Sequence, residues 1–328
     1  MSNLLLEKIE KANSIAISGH IRPDGDCTGS TLALYNYIKE NFASKKVKVF
    51  LEVPPNKFSY MSGFDKIDSG IVNEKKLSID NIKKDELIYD LCICLDASDD
   101  KRLAGNIVLV NNSKDSLTID HHISHKKYTK DLILDANASS TCEVLSRYLD
   151  LDKVSKETAT CLYTGLVHDT GVFKYPCTSL ETMNLAGKLM EKGVEFNKII
   201  DDSFFARDFY ANKVLAKALL DSKLYFDGKL IISYTTKQVL DEYRVDIKSL
   251  DGVIDELRNT IGVEVAIYLY QLNEDEYKAS LRSKTFVDVS KICESLGGGG
   301  HIRAAGCSIQ GKIEDIIELL IKKVKAEL

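Results

Sequence analysis

The chain has 328 residues, about twice a usual domain of roughly 150, so the first expectation is two domains with separate cores. Apolar residues make up 44% and charged residues 28%, which excludes a disordered chain. The net charge is −5, so no overall field attracts a polyanion, and a nucleic-acid or phosphate partner would have to be held by a local patch or by bound cations.

The N-terminal stretch Met1–Ser14 carries only the run Leu4–Leu6, with Glu7 and Glu10 close behind, too short and too charged for a signal-peptide core. No apolar run approaches the ~18 residues that cross a bilayer. The expectation is a cytoplasmic protein without membrane contact. From there the chain alternates β-rich and helical stretches. Ser14–Ser18 reads as a buried strand, Thr28–Glu40 as a helix with apolar spacing at Leu32, Tyr35 and Ile38, and Val47–Val53 as a second strand. Leu87–Leu95, Ile107–Val110, Ser116–Ile119 and Asp131–Leu134 read as four more strands. Such alternation predicts an α/β fold with a doubly wound, mainly parallel sheet, in which ligands bind beyond the carboxyl ends of the strands.

Helical spacing then dominates: Ser140–Leu149, Lys156–His168, Leu180–Lys192 and Ala211–Leu220. Strands follow at Lys229–Tyr234, Val263–Gln271 and Tyr277–Ser283, and helices at Val289–Leu296 and Ile313–Leu328. The predicted division is a domain over 1–190, a helical linker over 191–224 and a smaller α/β domain over 225–328. Eight cysteines include no Cys-x-x-Cys pair, so no zinc knuckle or dithiol motif is present. Cys92 and Cys94 fall on one face of a strand and read as packing.

Only six histidines occur, at His20, His121, His122, His125, His168 and His301. Three predicted strands end on a metal-ligand type: Gly19-His20-Ile-Arg-Pro-Asp24-Gly-Asp26, Leu95-Asp96 and Ile119-Asp120-His121-His122. A fourth group, His168-Asp169, lies at a helix end. Asp-Gly-Asp after proline is by itself an ordinary turn with a helix cap, and a lone His-Asp an ordinary helix end. Their convergence at one sheet edge is what points to a site. His20, Asp24, Asp26, Asp96, His121 and Asp169 offer six ligands without a thiolate, a set suited to Mn²⁺ or Mg²⁺. Six exceed one ion's shell when water and substrate must also bind, so two ions sharing a carboxylate are expected, clamping a phosphoryl group with a bridging water as nucleophile. Neighbours in an extended segment point to opposite sides, so of His121 and His122 one should be a ligand and the other face substrate. His125 reads as an ordinary loop residue.

These segments, with Val167-His168-Asp169-Thr-Gly171, resemble the four motifs of the DHH phosphoesterase superfamily. Gly297-Gly-Gly-Gly-His301-Ile-Arg-Ala-Ala-Gly306 resembles the signature of the DHH-associated C-terminal domain. The two-domain length resembles the group of bifunctional oligoribonucleases and 3′-phosphoadenosine 5′-phosphate (PAP) phosphatases. The resemblance implies one ion on His20, Asp24 and Asp96 and a second on Asp26, Asp96, His121 and Asp169, with Asp96 bridging. It implies His122 at the scissile phosphate or leaving group and Asp120 supporting the histidines. In the second domain it implies that Arg282, Ser283 and His301 grip substrate, with backbone contact from Gly299 and Gly300. At His168, members of the family more often carry threonine or another small polar residue.

The function expected is hydrolysis of short RNA oligonucleotides to nucleoside 5′-monophosphates, or of PAP to AMP, with two divalent ions, Mn²⁺ first. A homodimer is compatible with it. Alternatives are a pApA or cyclic di-AMP phosphodiesterase, a pyrophosphatase that would lack the glycine-histidine signature, and a non-catalytic nucleotide-binding module, for which retention of all six ligands is unfavourable.

Overall fold

The computed structural model describes residues 3–70, 88–250 and 252–328; Leu87, the first residue of one expected strand, lies outside them. The chain divides into two compact units, Met1–Ala206 and Arg207–Leu328. The expected linker is therefore split between them, its first part belonging to one unit and its last helix to the other.

The first unit runs α1 (Leu4–Lys11), β1 (Ser14–Gly19), α2 (Gly25–Asn41), β2 (Lys46–Phe50), β3 (Ile67–Asp68), β4 (Leu91–Leu95), α3 (Ile107–Asn112), β5 (Asp115–Asp120), β6 (Asp131–Leu134), α4 (Thr141–Ser146), α5 (Lys156–Asp169), α6 (Leu180–Glu191) and α7 (Phe196–Ile199), then a π-helical turn Ile200–Phe205. The strands stand in the order β3-β2-β1-β4-β5-β6, and all their pairings are parallel. Strand alternation separates two apolar layers. Ile15, Ile17, Leu91, Ile93 and Leu95 face the layer shared with α1, α2 and α5, while Ala16, Cys92 and Cys94 face a smaller layer with Leu103, Leu109 and Val110. Both cysteines are buried there, as packing predicted.

Ile107–Val110 is helical rather than a strand. β4 and β5 pair directly, so the sheet has no place for the run between them, and a short helix lets Leu109 and Val110 cover the sheet instead. Packing overrides the weak strand preference of β-branched residues.

The second unit contains α8 (Phe209–Leu220), β7 (Lys223–Tyr225), β8 (Leu230–Thr235), α9 (Lys237–Tyr243), α10 (Val253–Asn259), β9 (Val265–Asn273), β10 (Glu276–Ser283), α11 (Val289–Glu294), β11 (Gly299–His301), β12 (Ala304–Gln310) and α12 (Ile313–Lys325). The sheet order is β11-β12-β10-β9-β8-β7, antiparallel except for β8 with β9. One face packs on α11 and α12. The other packs against α8, α9 and α10, chiefly over β8 and β9, with α10 also reaching β10. The glycine run thus continues into an edge hairpin. Gly300 has φ of 149°, a conformation L side chains rarely adopt, and its Cα lies against the Ala304 carbonyl.

Candidate active site

Parallel register builds the first unit's site. Gly19 pairs with Leu95, and Leu95 with Ile119, so the residues that follow, His20, Asp96 and Asp120, emerge side by side at the carboxyl edge. This is where the strand order reverses, since β2 and β3 lie to one side of β1 and β4 to β6 to the other. α2 starts immediately behind it. Asp24 caps α2, its Oδ1 accepting from the Asp26 and Cys27 amides at 3.1 Å, so its Oδ2 is left facing His20 Nε2 at 3.6 Å. α5 ends at the same place and delivers Asp169.

Asp96 lies at the centre, 3% exposed. Its Oδ2 is 3.3 Å from His20 Nε2, and its Oδ1 is 3.8 Å from His121 Nε2 and 3.6 Å from His122 Nδ1. Its φ of 57° is left-handed, strain of about 1–3 kcal/mol of the kind that persists at functional sites. On the far side, Asp26, His121 and Asp169 offer ligand atoms within 4.8 Å of one another, with His121 Nε2 3.1 Å from Asp169 Oδ2. Both ligand histidines are oriented from behind: His20 Nδ1 is 2.8 Å from the Ile21 carbonyl and His121 Nδ1 3.3 Å from that of Ala138. Donation of Nδ1–H to these carbonyls turns each Nε2 toward the carboxylates, where it carries a proton in the metal-free protein and would offer its lone pair to a cation that displaced that proton.

The α4 segment, unmarked in the sequence reading, supports two carboxylates. Asp26 accepts from the Thr141 and Cys142 amides at 2.6 and 2.9 Å, and Thr141 Oγ1 donates to Asp96 Oδ1 at 3.1 Å. The only advance signal was three small hydroxyl residues, Ser139-Ser140-Thr141, before a helix.

Charge in the cluster is out of balance. Burial and the charges of Asp169 and Asp96 push the Asp26 carboxyl well above the usual range, and burial first of all pushes Asp169 up to about 6. Burial opposes protonation of His121, but the hydrogen bond to Asp169 and the surrounding carboxylates outweigh it and raise the ring to about 11. Carboxylates that must hold protons this tightly lack a counter-charge, and a hard divalent cation would supply it. The donor set therefore fits divalent metal.

In the second unit, cross-strand register puts Arg282 opposite Ala304 and Ala304 opposite His301. Opposed residues share a face, so Arg282 and His301 flank a small alanine two strands apart. Ser280, Gly306 and Gly299 form the next row on that face, and the stem of Lys278 lies over Gly306. This row lies beyond the apolar layer that α8 to α10 build over β8 and β9.

Two family models match the chain: "DHH family, N-terminal domain" over residues 14–166 and "DHHA1 domain" over 227–326. The chain carries a DHH family N-terminal domain and a DHHA1 domain. A Thermus thermophilus protein named bifunctional oligoribonuclease and PAP phosphatase NrnA is 26% identical over 321 residues, covering 96% of this chain and 90% of its own. A Bacillus subtilis protein of the same name is 23% identical, covering 94% and 93%. The crystal structure of an exopolyphosphatase-related protein from Bacteroides fragilis superimposes with a TM-score of 0.87 at 24% identity, over 98% of this chain and 94% of that one, and shows the same fold.

Within the DHH domain, the six expected ligands lie together. Alternation does not separate the adjacent histidines: they follow the end of β5, their rings stand 4.8 Å apart and both reach Asp96, His121 also facing Asp169 and His122 turning to Asp120, Nδ1 to Oδ1 at 2.7 Å. His125 is not an ordinary loop residue. Its buried ring lies 2.6 Å from the other Asp120 oxygen. The spacing His122-x-x-His125 was the available signal, and a turn closed by the His125 amide on the His122 carbonyl brings both rings to one carboxylate. His168 packs: its ring lies between Phe58 and Phe204 at 4.9 and 5.4 Å, with Nε2 3.0 Å from Ser203 Oγ, and burial, helped by the Lys57 ammonium, lowers it to about 3.

Within the DHHA1 domain, Arg282 and exposed His301 share one face, but Ser283 does not. It is buried on the opposite face and donates to the Val287 carbonyl at 2.6 Å, because strand neighbours alternate. Gly299 and Gly300 are paired with β12 rather than forming a loose loop.

Proposed function

We propose that this chain hydrolyses phosphoester bonds in short oligoribonucleotides, releasing nucleoside 5′-monophosphates, and removes the 3′-phosphate of PAP. The observation that carries this reading is the sharing of one buried carboxylate, Asp96, between an acidic imidazole group on His20 and Asp24 and another on Asp26, His121 and Asp169. The NrnA name of relatives that match it along nearly their whole length supports the substrate class.

His20, Asp24 and Asp96 would hold one divalent cation and Asp26, Asp96, His121 and Asp169 a second, Mn²⁺ in our reading. Bound there, the pair supplies Lewis acidity toward the phosphoryl oxygens and acidifies a water to serve as nucleophile. The chain's own contribution is orientation. The α4 amides fix Asp26, the backbone carbonyls fix the His20 and His121 tautomers, and Thr141 fixes Asp96. Asp120 orients His122 beside Asp96, where the ring can contact the scissile phosphate and pass a proton to the leaving oxygen.

The DHHA1 face would hold the far end of the substrate. Arg282 and His301 stand about 10 Å apart across an alanine, two strand spacings, which suits a phosphate or base between them. Gly299 and Gly300 give it backbone, and Ser283 holds the end of β10 from behind. A grip on one end of the substrate would favour chains of a few nucleotides over long RNA. All eight cysteines are unpaired, seven of them buried, in keeping with work in the cytoplasm. Among the described residues no helix is long and apolar enough to cross a membrane.

His301→Ala tests the grip. The expected result is a raised KM for oligonucleotides with hydrolysis of bis-p-nitrophenyl phosphate unchanged, and an equal loss on both substrates would reject it. Removal of divalent metal by EDTA should abolish turnover of both, whereas a nucleotide-binding module would keep its ligand.

A further inference from the structure

Asp120 is fully buried and stands between two imidazoles. Its Oδ1 accepts from the His121 amide at 2.8 Å and from His122 Nδ1 at 2.7 Å, and its Oδ2 faces His125 Nδ1 at 2.6 Å. We infer that His125 is a positioning residue for hydrolysis, acting through Asp120 to hold the His122 ring in its working orientation. The inference rests on the phosphoesterase reading above.

Three observations carry it. The first is which nitrogen holds the proton. His125 Nε2 is buried and among the described residues has no hydrogen-bond partner. An N–H left unpaired there would cost more than a bare acceptor, so the proton belongs on Nδ1, facing Asp120, where it donates.

The second is that the ring has nowhere else to go. Its side chain has no exposed surface, and the Tyr128 ring lies against it at 5.6 Å. Tyr128 in turn donates to the Ala97 carbonyl at 3.0 Å, and the Lys126 amide to the Ser98 carbonyl at 2.7 Å. These bonds pin the His125 loop to the segment that directly follows Asp96.

The third is what the carboxylate needs. With donors on Oδ1 alone, Asp120 could rotate about its Cβ–Cγ bond and carry the His122 contact with it. A donor on Oδ2 from the opposite side removes that freedom. His125 touches neither substrate nor the six proposed ligands, so its removal should act on turnover and spare binding.

The test compares His125→Leu, which keeps volume and deletes the donor, with His125→Asn, whose amide can donate from the same place. Wild type and both variants are assayed with Mn²⁺ on bis-p-nitrophenyl phosphate, with Mn²⁺ affinity followed by electron paramagnetic resonance and Tm by calorimetry. The leucine variant should lose about 10–100-fold in kcat with KM and Mn²⁺ affinity close to wild type and with a Tm that, though lowered by the unpaired Asp120 oxygen, stays well above the assay temperature, and the asparagine variant should recover most of the loss in kcat. Wild-type kcat in the leucine variant overturns the inference. So does an asparagine variant as impaired as the leucine one, or a loss accounted for by weakened Mn²⁺ binding or by unfolding at the assay temperature. A wild-type protein that hydrolyses no phosphoester overturns the reading and the inference together, whereas an active wild type matched by His125→Leu overturns the inference alone.

Discussion

At the scale of single residues, the cluster is an electrostatic conflict that cations resolve. Asp169 is raised to about 6 by burial, so between its unfolded value near 3.8 and about 6 the folded chain holds a proton the unfolded chain has lost. That contribution to stability falls as pH rises through the window. His121 is raised to about 11, against burial, by Asp169 and its neighbours, so its contribution is complete below about 6.5 and declines above it. Both shifts have the same sign: the metal-free protein weakens as pH rises, while a cation, which must displace these protons, binds more tightly. The Tm gain on adding Mn²⁺ should therefore grow from about pH 5.5 to about pH 8, with affinity rising about tenfold per pH unit for each proton displaced. Calorimetry across that range checks it, and a gain independent of pH would mean that these groups are not the ligands. The six proposed ligands could be picked out as candidates in the sequence because they gather just after apolar runs, in the turn that opens α2 and at the end of α5. His125 and Thr141 could not, because they act on other side chains, and contacts between segments leave no local pattern.

Among the elements, α2 and α5 pack against each other at the turn that carries Asp24. The His168 ring lies against the Cα of Gly25, and a Cβ there would fall inside the ring. The glycine between Asp24 and Asp26 is thus required by packing. Gly25→Ala should impair folding or Mn²⁺ binding, by about 1–3 kcal/mol if the clash is absorbed as strain. Because the two positions touch, adding His168→Ala should relieve part of that loss, so the double variant should be less impaired than the sum of the single ones. Urea unfolding of the four proteins measures the difference, and strict additivity would show that the ring does not press on the loop. Elements were readable where alternation or helical spacing ran long, as in β1, β4, β10, α2 and α5. Ile107–Val110 was too short for periodicity to separate one helical turn from a strand. The β11–β12 hairpin was hidden because glycine carries no hydrophobic pattern. Ser283 was misplaced for a different reason: alternation within β10 assigns it to the face opposite Arg282.

For the whole molecule, the DHH domain gathers carboxylates and imidazoles at the carboxyl edge of its sheet, and the DHHA1 domain carries Arg282, Lys278 and His301 on one face of its own. A net charge of −5 is no obstacle to a nucleotide substrate, because part of that acidity is aspartate that cations would neutralise. Phosphoester hydrolysis should depend on Asp96, which both halves of the cluster share. The direct measurement is kcat/KM for Mn²⁺-dependent hydrolysis of an RNA of about five nucleotides by the wild type and by Asp96→Asn, with a loss of about 10³-fold or more expected in the variant. Efficient wild-type cleavage to nucleoside 5′-monophosphates with almost none in Asp96→Asn is the predicted result. Activity in the variant comparable to wild type would contradict it.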